Sequence, residues 1–426
     1  MKRPAETVPE GKETMMMNTE LKPCDGGVCA AKGFRAAGIH AGLRKNKDKL
    51  DLALIVAEKD CAVAGVFTQN RVFAAPVGVT RAHISNGVAR AAICNSGNAN
   101  ACTPDGYANA EKTCAALAAE LGIKGDDIIV ASTGVIGVSL PVDQLVSGIP
   151  ALVSDLGDTA ADSDRAARAI MTTDTKKKEF SYSITLGGKT AHIGGICKGS
   201  GMISPNMATM LCFITTDAAI SSGMLQKALS SVIKDTFNMV SVDGDTSTND
   251  MVTVLASGLA GNDEIVSDGA DFEVFSAALA TLCTDLCTAI AADGEGATKM
   301  IQCNVRNFSD PDGARVLAKS VISSSLVKTA MFGADANWGR ILCALGYAGV
   351  DIDTSKIDVK FASAKGDILV CEDGRAYPFS EEKAKEILLE NRVIIDVDMK
   401  SGGESATAWG CDLSYEYVHI NGDYRS

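Results

Sequence analysis

The sequence predicts a mixed α/β (α+β) protein. Segments with the alternation of β-strands and segments with helical spacing follow one another along the chain. With 426 residues, of which 46% are hydrophobic and 22% charged, the chain is long enough to bury more than one core. We therefore predict layers of helix and sheet arranged in two lobes.

The first half of the chain begins with a polar stretch, residues 1–30, which lacks periodicity and is predicted to be a disordered lead-in. Apolar runs bounded by turn residues predict strands, and apolar residues in helical spacing before a C-terminal glycine such as Gly122 predict helices. The predicted elements are strands 50–56 and 62–68 around a turn at 58–60, strand 91–94, helix 111–121, strand 128–131, helix 158–171, and a hairpin of strands 179–186 and 190–196 around Gly187 and Gly188.

The second half of the chain continues the alternation by the same criteria. Its predicted elements are strand 210–216, helix 222–238, strand 252–257, helix 271–292, strand 299–306, helices 311–330 and 338–347, strands 356–361 and 366–371, helix 380–391, and strands 393–398, 406–411 and 415–420.

The charge and the N-terminal composition limit the class of protein. Lys and Arg number 40 and Asp and Glu 53, a net charge of −13, which argues against nucleic acid as a partner. We find no run of 18 apolar residues, so we expect no membrane partner. The first twenty residues resemble neither a secretory signal nor an acid-poor transit peptide, and we expect a cytoplasmic protein.

The cysteines and histidines do not form a recognisable metal site or catalytic triad. Many of the 14 cysteines lie within apolar patterns, where free thiols pack as small hydrophobes. Cys24 and Cys29 have no second pair nearby, so we interpret them as free thiols rather than zinc ligands. The four histidines lack a neighbouring nucleophile motif. We expect neither a metal nor a cofactor.

A loop-to-strand junction near the middle of the chain carries the candidate nucleophile. Residues 198–211 read KGSGMISPNMATML, a loop rich in Gly, Ser, Pro and Asn that leads into an apolar strand. Thr209 stands at the junction, after the small residue Ala208. Its hydroxyl could attack the Ala208 carbonyl, and hydrolysis of the ester would leave Thr209 with a free α-amine as base. An ordinary loop before a core strand is the alternative.

Three other loops are candidates for chemistry. Residues 132–134 follow a strand and contain Gly134, so their N–H groups could form an oxyanion hole, although a plain turn is the favoured interpretation of these residues by themselves. Residues 293–299 lack phosphate-loop spacing, and Glu295 is better interpreted as a carboxylate that faces an ammonium group. Residues 243–250 fail the calcium-loop pattern and indicate a hydrogen-bonded structural loop.

The chain resembles the ornithine acetyltransferase (glutamate N-acetyltransferase) family of arginine biosynthesis. Besides 198–211, the similar blocks are 95–101, 132–137, 170–175, 243–250, 293–299 and 332–340, in the family's order. The resemblance implies the layered helix/sheet sandwich of self-cleaving ornithine acetyltransferases. It also implies cleavage between Ala208 and Thr209 into an α chain, 31–208 after the lead-in, and a β chain, 209–426.

The resemblance also implies the site. Thr209 would be the acylated nucleophile, and Thr133 and Gly134 would stabilise the oxyanion. The positions that match the family's substrate-binding residues are Thr172, Lys198, Thr209, Glu295, Asn421 and Ser426.

The implied reaction moves acetyl from N2-acetyl-L-ornithine to L-glutamate through an acetyl-threonine. The resemblance leaves open whether acetyl-CoA also serves as acetyl donor. It implies that the cleaved chains associate as a heterotetramer or larger. Two alternatives remain. One is a related N-terminal nucleophile amidase or aminopeptidase, in which water takes the acyl group. The other is a non-catalytic amino-acid-binding protein.

Overall fold

Sixteen strands and eleven α-helices alternate along the part of the chain that the computed structural model describes, residues 21–204 and 210–423. The strands are β1 (Lys22–Pro23), β2 (Phe34–Ile39), β3 (Leu52–Phe67), β4 (Val88–Asn98), β5 (Ile128–Val135), β6 (Lys178–Leu186), β7 (Lys189–Lys198), β8 (Leu211–Thr216), β9 (Val240–Ser241), β10 (Met251–Ala256), β11 (Met300–Phe308), β12 (Asp358–Ser363), β13 (Gly366–Glu372), β14 (Arg375–Ala376), β15 (Arg392–Asp398) and β16 (Glu404–Cys411). The helices are α1 (Ala75–His83), α2 (Gly106–Leu121), α3 (Val142–Ser154), α4 (Ala160–Ala169), α5 (Ser222–Asp235), α6 (Ala270–Ala292), α7 (Pro311–Ser323), α8 (Ser325–Phe332), α9 (Trp338–Gly346), α10 (Glu381–Leu388) and α11 (Tyr415–Gly422).

The first sheet is folded over on itself through β3. Its strand order is β1-β6-β7-β8-β10-β3-β4-β5, with β2 also paired to β3. Residues 52–56 of β3 pair with β2 and β4, residues 62–67 pair with β10, and the register shifts between Val56 and Cys61. One apolar cluster contains Ile55 and Ile129 from the first half and Phe213 and Leu255 from the second. The two halves of the sheet therefore pack face to face.

Successive side chains of a β-strand point to opposite faces of its sheet. Each half of the folded sheet therefore has an outward face, and helices cover both of these outer faces. Leu52, Leu54 and Val56 pack in a cluster with residues of α1, α2 and α3. On the other side, side chains such as Cys212 and Ile214 pack in a cluster with α5 and α6. The result is a stack of helix, sheet, sheet and helix, which confirms the predicted mixed class with layered helices and sheets.

The second sheet, ordered β14-β13-β12-β15-β11-β16-β9, forms the other lobe with α7 to α10. Helix α6 contacts β6 and β7 of the first sheet and β11 and β16 of the second. By length and composition alone, α6 is also the one described helix apolar enough to cross a membrane, and half of its most apolar stretch is buried within the protein. Its contacts with both sheets account for that apolar character.

Several predicted boundaries were wrong. The strands predicted at 50–56 and 62–68 are one continuous strand, β3, and the turn predicted at 58–60 is part of it. The helix predicted over 311–330 divides at Ser324, whose side chain caps α8 by accepting from Val327 N. Residues 415–420, predicted as a strand, lie in the helix α11.

Two helices were missed because they carry helix-breaking residues. Helix α3 contains Gly148 and Pro150 in its interior, and α1 begins with an alanine and a proline and has no side-chain cap. Residues 132–134 were predicted as a possible turn, but they continue β5, which pairs in parallel with β4.

Residues 21–30, predicted to belong to a disordered lead-in, are packed. Lys22 and Pro23 pair with β6, and Cys24 N donates to Ser181 O at 3.0 Å. Val28 is fully buried, and its carbonyl accepts from Thr215 Oγ1 at 2.7 Å. Residues 1–20, the rest of that predicted segment, lie outside the described residues.

Candidate active site

A pocket of about 230 Å³ lies where the ends of β5, β7, β8 and β10 meet the turn after α6 and the helix α11. The folding of the first sheet brings the end of β5 close to the start of β10. Asn249, just before β10, donates from its Nδ2 to Ser132 O of β5 at 2.8 Å. The lining residues are 133–136, 172–173, 198, 201–203, 210, 247–250, 295 and 421.

The pocket brings together six of the residues that the sequence predicted for the site, and their roles stay predictions. They are Thr133, Gly134, Thr172, Lys198, Glu295 and Asn421. Ala208, Thr209 and Ser426 lie outside the described residues. Met210, the residue after Thr209, lines the pocket.

Thr133 and Gly134 occupy the end of β5. Gly134 has φ +134°, and a Cβ there would lie 2.3 Å from Gly97 C and 2.5 Å from Asn98 N. A side chain is therefore excluded by two fixed backbone atoms, and position 134 requires glycine. Lys198 Nζ donates to Thr133 Oγ1 at 3.2 Å, which leaves the hydroxyl hydrogen of Thr133 free to donate into the pocket.

Asp174 fixes the two segments that carry Thr172 and Lys198. Its Oδ2 accepts from Thr172 N at 2.9 Å, and its Oδ1 accepts from Gly199 N and Lys178 Nζ, each at 2.7 Å. Burial raises the pKa of Asp174, but the ammonium groups of Lys178 and Lys198 outweigh burial and lower it to about 2. Asp174 is therefore a carboxylate at neutral pH.

Lys178 joins Asp174 to Asp293, and we call these three residues the Lys178 clamp. Lys178 is 1% exposed, and its Nζ also donates to Asp293 Oδ2 at 2.6 Å. Asp293 begins the turn that carries Glu295, and its carbonyl accepts from Ser200 Oγ at 2.7 Å. The clamp therefore holds three segments of the pocket in fixed relation.

Replacing Lys178 by methionine is expected to destabilise the protein by about 3–5 kcal/mol, because two buried carboxylates lose their shared cation. The depressed pKa of Asp174 contributes stability that is complete above about pH 3.9 and is lost as pH falls through about 2. The difference in Tm between wild type and Lys178→Met should therefore be largest near neutral pH and narrow toward pH 2.

Lys177→Met is the matched control, because Lys177 is 36% exposed and pairs with Asp164 and Glu179 at the surface. Such pairs contribute about 0–1 kcal/mol. Equal changes in Tm for the two variants would contradict a special role for the clamp.

Glu295 and Asn421 line the pocket together with Lys198. Glu295 is 7% exposed, its N–H donates to Ser200 O at 2.9 Å, and its Oε2 accepts from Asn421 Nδ2 at 2.7 Å. A Cβ at Gly201 would lie 2.2 Å from Glu295 Cδ. Gly201 therefore leaves the space that the carboxylate occupies.

The substitution Gly201→Ala is expected to displace the Glu295 carboxylate and raise the KM for an ammonium-bearing substrate about tenfold, the equivalent of about 1.4 kcal/mol. Gly223→Ala on α5 is the control, since a Cβ there meets nothing within 4 Å. Steady-state kinetics of both variants test this expectation. An unchanged KM in Gly201→Ala would remove Glu295 from substrate contact.

The loop over residues 243–250 is hydrogen-bonded, as predicted, but it also lines the pocket, which the sequence reasoning missed. Asp243 accepts from Met202 N at 2.6 Å and from Ile203 N at 2.8 Å, and burial raises its pKa. Asp250 at the end of this loop is 2% exposed. The resemblance of blocks 170–175 and 243–250 to the family was the available signal for Asp174 and Asp250.

Helix α11 brings the C-terminal segment to the pocket. Ser414 Oγ donates to Gly296 O at 2.5 Å, and Tyr417 Oη donates to Asp243 Oδ2 at 3.3 Å. The ring of Tyr415 meets Phe332 edge to face at 5.7 Å between centroids. Asn421 is thereby held within reach of Glu295.

The described part of the pocket differs from a histidine or cysteine active site in its lining. Among its described lining residues there is no His or Cys, and burial raises the pKa of nearby thiols such as Cys197 to about 12. Within residues 21–204 and 210–423, no three His, Cys, Asp or Glu side chains are grouped to hold a metal ion.

Comparison with known proteins gives matches over nearly the whole chain. The ArgJ family model matches residues 35–426. The arginine biosynthesis bifunctional protein ArgJ 1 of Clostridium acetobutylicum is 50% identical over 394 residues, 92% of this chain and 96% of that relative. The corresponding ArgJ protein of Caldanaerobacter subterraneus is 48% identical over 403 residues, 94% of this chain and 99% of the relative.

A solved structure of ornithine acetyltransferase complexed with ornithine, from Mycobacterium tuberculosis, is 41% identical, with a TM-score of 0.41. The match covers 45% of this chain and 100% of the matched chain in that structure. All the lining residues of the pocket fall within the range that the family model matches.

Proposed function

Because the chain belongs to the ArgJ family, we propose that it transfers an acetyl group from N2-acetyl-L-ornithine to L-glutamate in arginine biosynthesis. The observation that carries the proposal is the pocket that places a cation, a carboxylate and a hydroxyl donor around one space beside Met210. Lys198 and Glu295 are 9% and 7% exposed, so their charges act with little screening by water.

Before it can act, the chain cleaves itself between Ala208 and Thr209. The Thr209 hydroxyl attacks the Ala208 carbonyl, and water hydrolyses the resulting ester. This step frees the α-amine of Thr209, which then serves as the base for the neighbouring hydroxyl. The residues 31–208 and 209–426 remain together as α and β chains, and support for this comes from β8 and β7, which would belong to different chains yet pair directly.

Acetyl transfer then proceeds in two half-reactions. Thr209 Oγ attacks the acetyl carbonyl of acetylornithine, and Thr133 and Gly134 donate to the oxyanion that develops. Ornithine leaves, glutamate enters, and its amine takes the acetyl group. Lys198 pairs with the α-carboxylate that both amino acids carry, Glu295 faces the ammonium group, and Thr172, Asn421 and Ser426 complete the site.

The exchange needs no nucleotide, because one amide replaces another. Water has to be kept from the acyl-threonine, and the burial of Thr133, Lys198 and Glu295 in the pocket supports this. The curated relatives are named bifunctional proteins, and we extend the proposal to acetyl-CoA as a second acetyl donor for glutamate.

The test is an incubation of the purified protein with acetylornithine alone, with glutamate added, and with glutamate and acetyl-CoA, followed by mass spectrometry of the products. We expect acetylglutamate only when glutamate is present. Acetate released at the same rate without glutamate would identify a hydrolase. An intact chain that binds the amino acids without turnover would identify a binding protein.

For the assembly, we propose a cytoplasmic heterotetramer of two α and two β chains. Native mass spectrometry should give about twice the 44.2 kDa of one chain. A mass equal to one chain would contradict it.

A further inference from the structure

Asp250 is a buried carboxyl group in the pocket with an unused oxygen. Its side chain is 2% exposed and lines the pocket with Thr133 and Lys198. Ser247 hydrogen-bonds to the carboxyl group, but Oδ2 is buried without a hydrogen-bond partner among the described residues. A buried polar atom left unpaired destabilises the fold by about 1–3 kcal/mol, so such an atom calls for a functional explanation.

The strand register places Asp250 beside Met210, the residue that follows Thr209 in the chain. Strands β8 and β10 are parallel, with Leu211 opposite Met251, and Met251 N donates to Met210 O at 2.9 Å. Asp250 and Met210 therefore precede paired residues on adjacent strands, and both line the pocket. Thr209 is bonded to Met210, and consecutive Cα atoms are about 3.8 Å apart.

Asp250 and Asp174 differ in their surroundings, although the charge of Lys198 lowers the pKa of both. Asp174 has the ammonium of Lys178 and two backbone N–H donors, whereas the titratable side chains that share the pocket with Asp250 are Lys198 and Glu295. Burial raises the pKa of Asp250 well above its usual value, and Lys198 and Ser247 only partly oppose this. Burial therefore favours the neutral form of Asp250, whereas Asp174 is held as a carboxylate.

Building on the self-cleavage proposed above, we propose that Asp250 is the proton donor for cleavage of the bond between Ala208 and Thr209. Peptide nitrogen is a poor leaving group unless it is protonated, and Oδ2 of a neutral Asp250 has a proton to give.

Protons and charge balance in this step. Thr209 Oγ bonds to the Ala208 carbonyl carbon, the C–N bond breaks, and its electron pair stays on nitrogen. The nitrogen receives one proton from Asp250 Oδ2 and one from the Thr209 hydroxyl. The products are an ester, an α-ammonium group on Thr209 and a carboxylate on Asp250, and the total charge is unchanged.

The carboxylate formed in this step then pairs with the new α-ammonium group. Return of the proton to Asp250 leaves a neutral amine, the form that acts as base in acetyl transfer. Asp250 therefore serves maturation directly, and afterwards it supports turnover by accepting the proton of the α-ammonium group.

The test follows cleavage of the full chain after pulsed cell-free synthesis, by denaturing electrophoresis and intact mass. Asp250→Asn is expected to slow cleavage about 10²–10⁴-fold, the usual contribution of a general acid. Asp250→Ala leaves space where the carboxyl group stood. Formate at acidic pH should therefore accelerate cleavage of this variant, and chloride at equal ionic strength should not. Asp217→Asn is the control, since Asp217 is fully buried but binds His192 outside the pocket.

The outcomes separate this inference from the proposed function. A wild-type chain that stays intact would overturn self-cleavage itself. A wild-type chain that is cut while Asp250→Asn is cut equally fast would overturn only the role of Asp250. If the Asp250 variants fail to fold, the pH profile of the wild type decides. Cleavage that slows as pH rises supports a neutral acid, and cleavage that only accelerates overturns it.

Discussion

The chain with Thr209 replaced by alanine is expected to remain a single polypeptide of 426 residues and to have no acetyl-transfer activity. The wild type should give pieces of 208 and 426 − 208 = 218 residues. The effect is complete because the same hydroxyl group is proposed to cut the chain and to carry the acetyl group. Denaturing mass spectrometry and the acetylornithine assay measure the two consequences separately.

Thr209→Ser is the matched control, because serine keeps the hydroxyl and loses only the methyl group that restricts χ1. It should be cut and active, but more slowly than wild type. A Thr209→Ala chain that is still cut without added protease would show that this hydroxyl does not perform the cleavage. A fully active Thr209→Ala enzyme would remove Thr209 as the acyl carrier.

Replacing Thr133 by alanine is expected to lower kcat by roughly 10²–10³, the usual consequence of losing one oxyanion donor. Because Lys198 Nζ donates to Thr133 Oγ1, the ammonium both orients the hydroxyl and makes it a stronger donor. Burial of Thr133 in the pocket wall strengthens this interaction, since little water competes for it. The KM should change less than kcat, because the oxyanion exists only in the transition state.

Two controls accompany Thr133→Ala. Thr133→Ser keeps the donor and should recover most of the lost rate. Ser132→Ala removes the neighbouring hydroxyl, which donates to Asn95 Oδ1 at 2.6 Å and does not line the pocket. We expect Ser132→Ala to lower Tm while kcat stays near wild type. A kcat near wild type in Thr133→Ala would remove Thr133 from the oxyanion site.

The sequence was sufficient for features that depend on local patterns. Strand alternation and helical spacing predicted the mixed class, and the hairpin around Gly187 and Gly188 and the helix α6 were found close to their predicted bounds. The family's blocks of residues led to six candidates that share one pocket. Gly134, which lies in one of these blocks, occupies a position where backbone geometry excludes any side chain.

The tertiary structure decided what depends on contacts between distant segments. The local sequence of β3 does not show that this strand folds the sheet over and brings Ser132 close to Asn249. Helix α11 was mistaken for a strand, because its few apolar residues fit either period and docking against Gly296 and Asp243 selects the helix. The opposite pKa shifts of Asp174 and Asp250 likewise arise from burial and neighbouring cations, which a sequence does not contain.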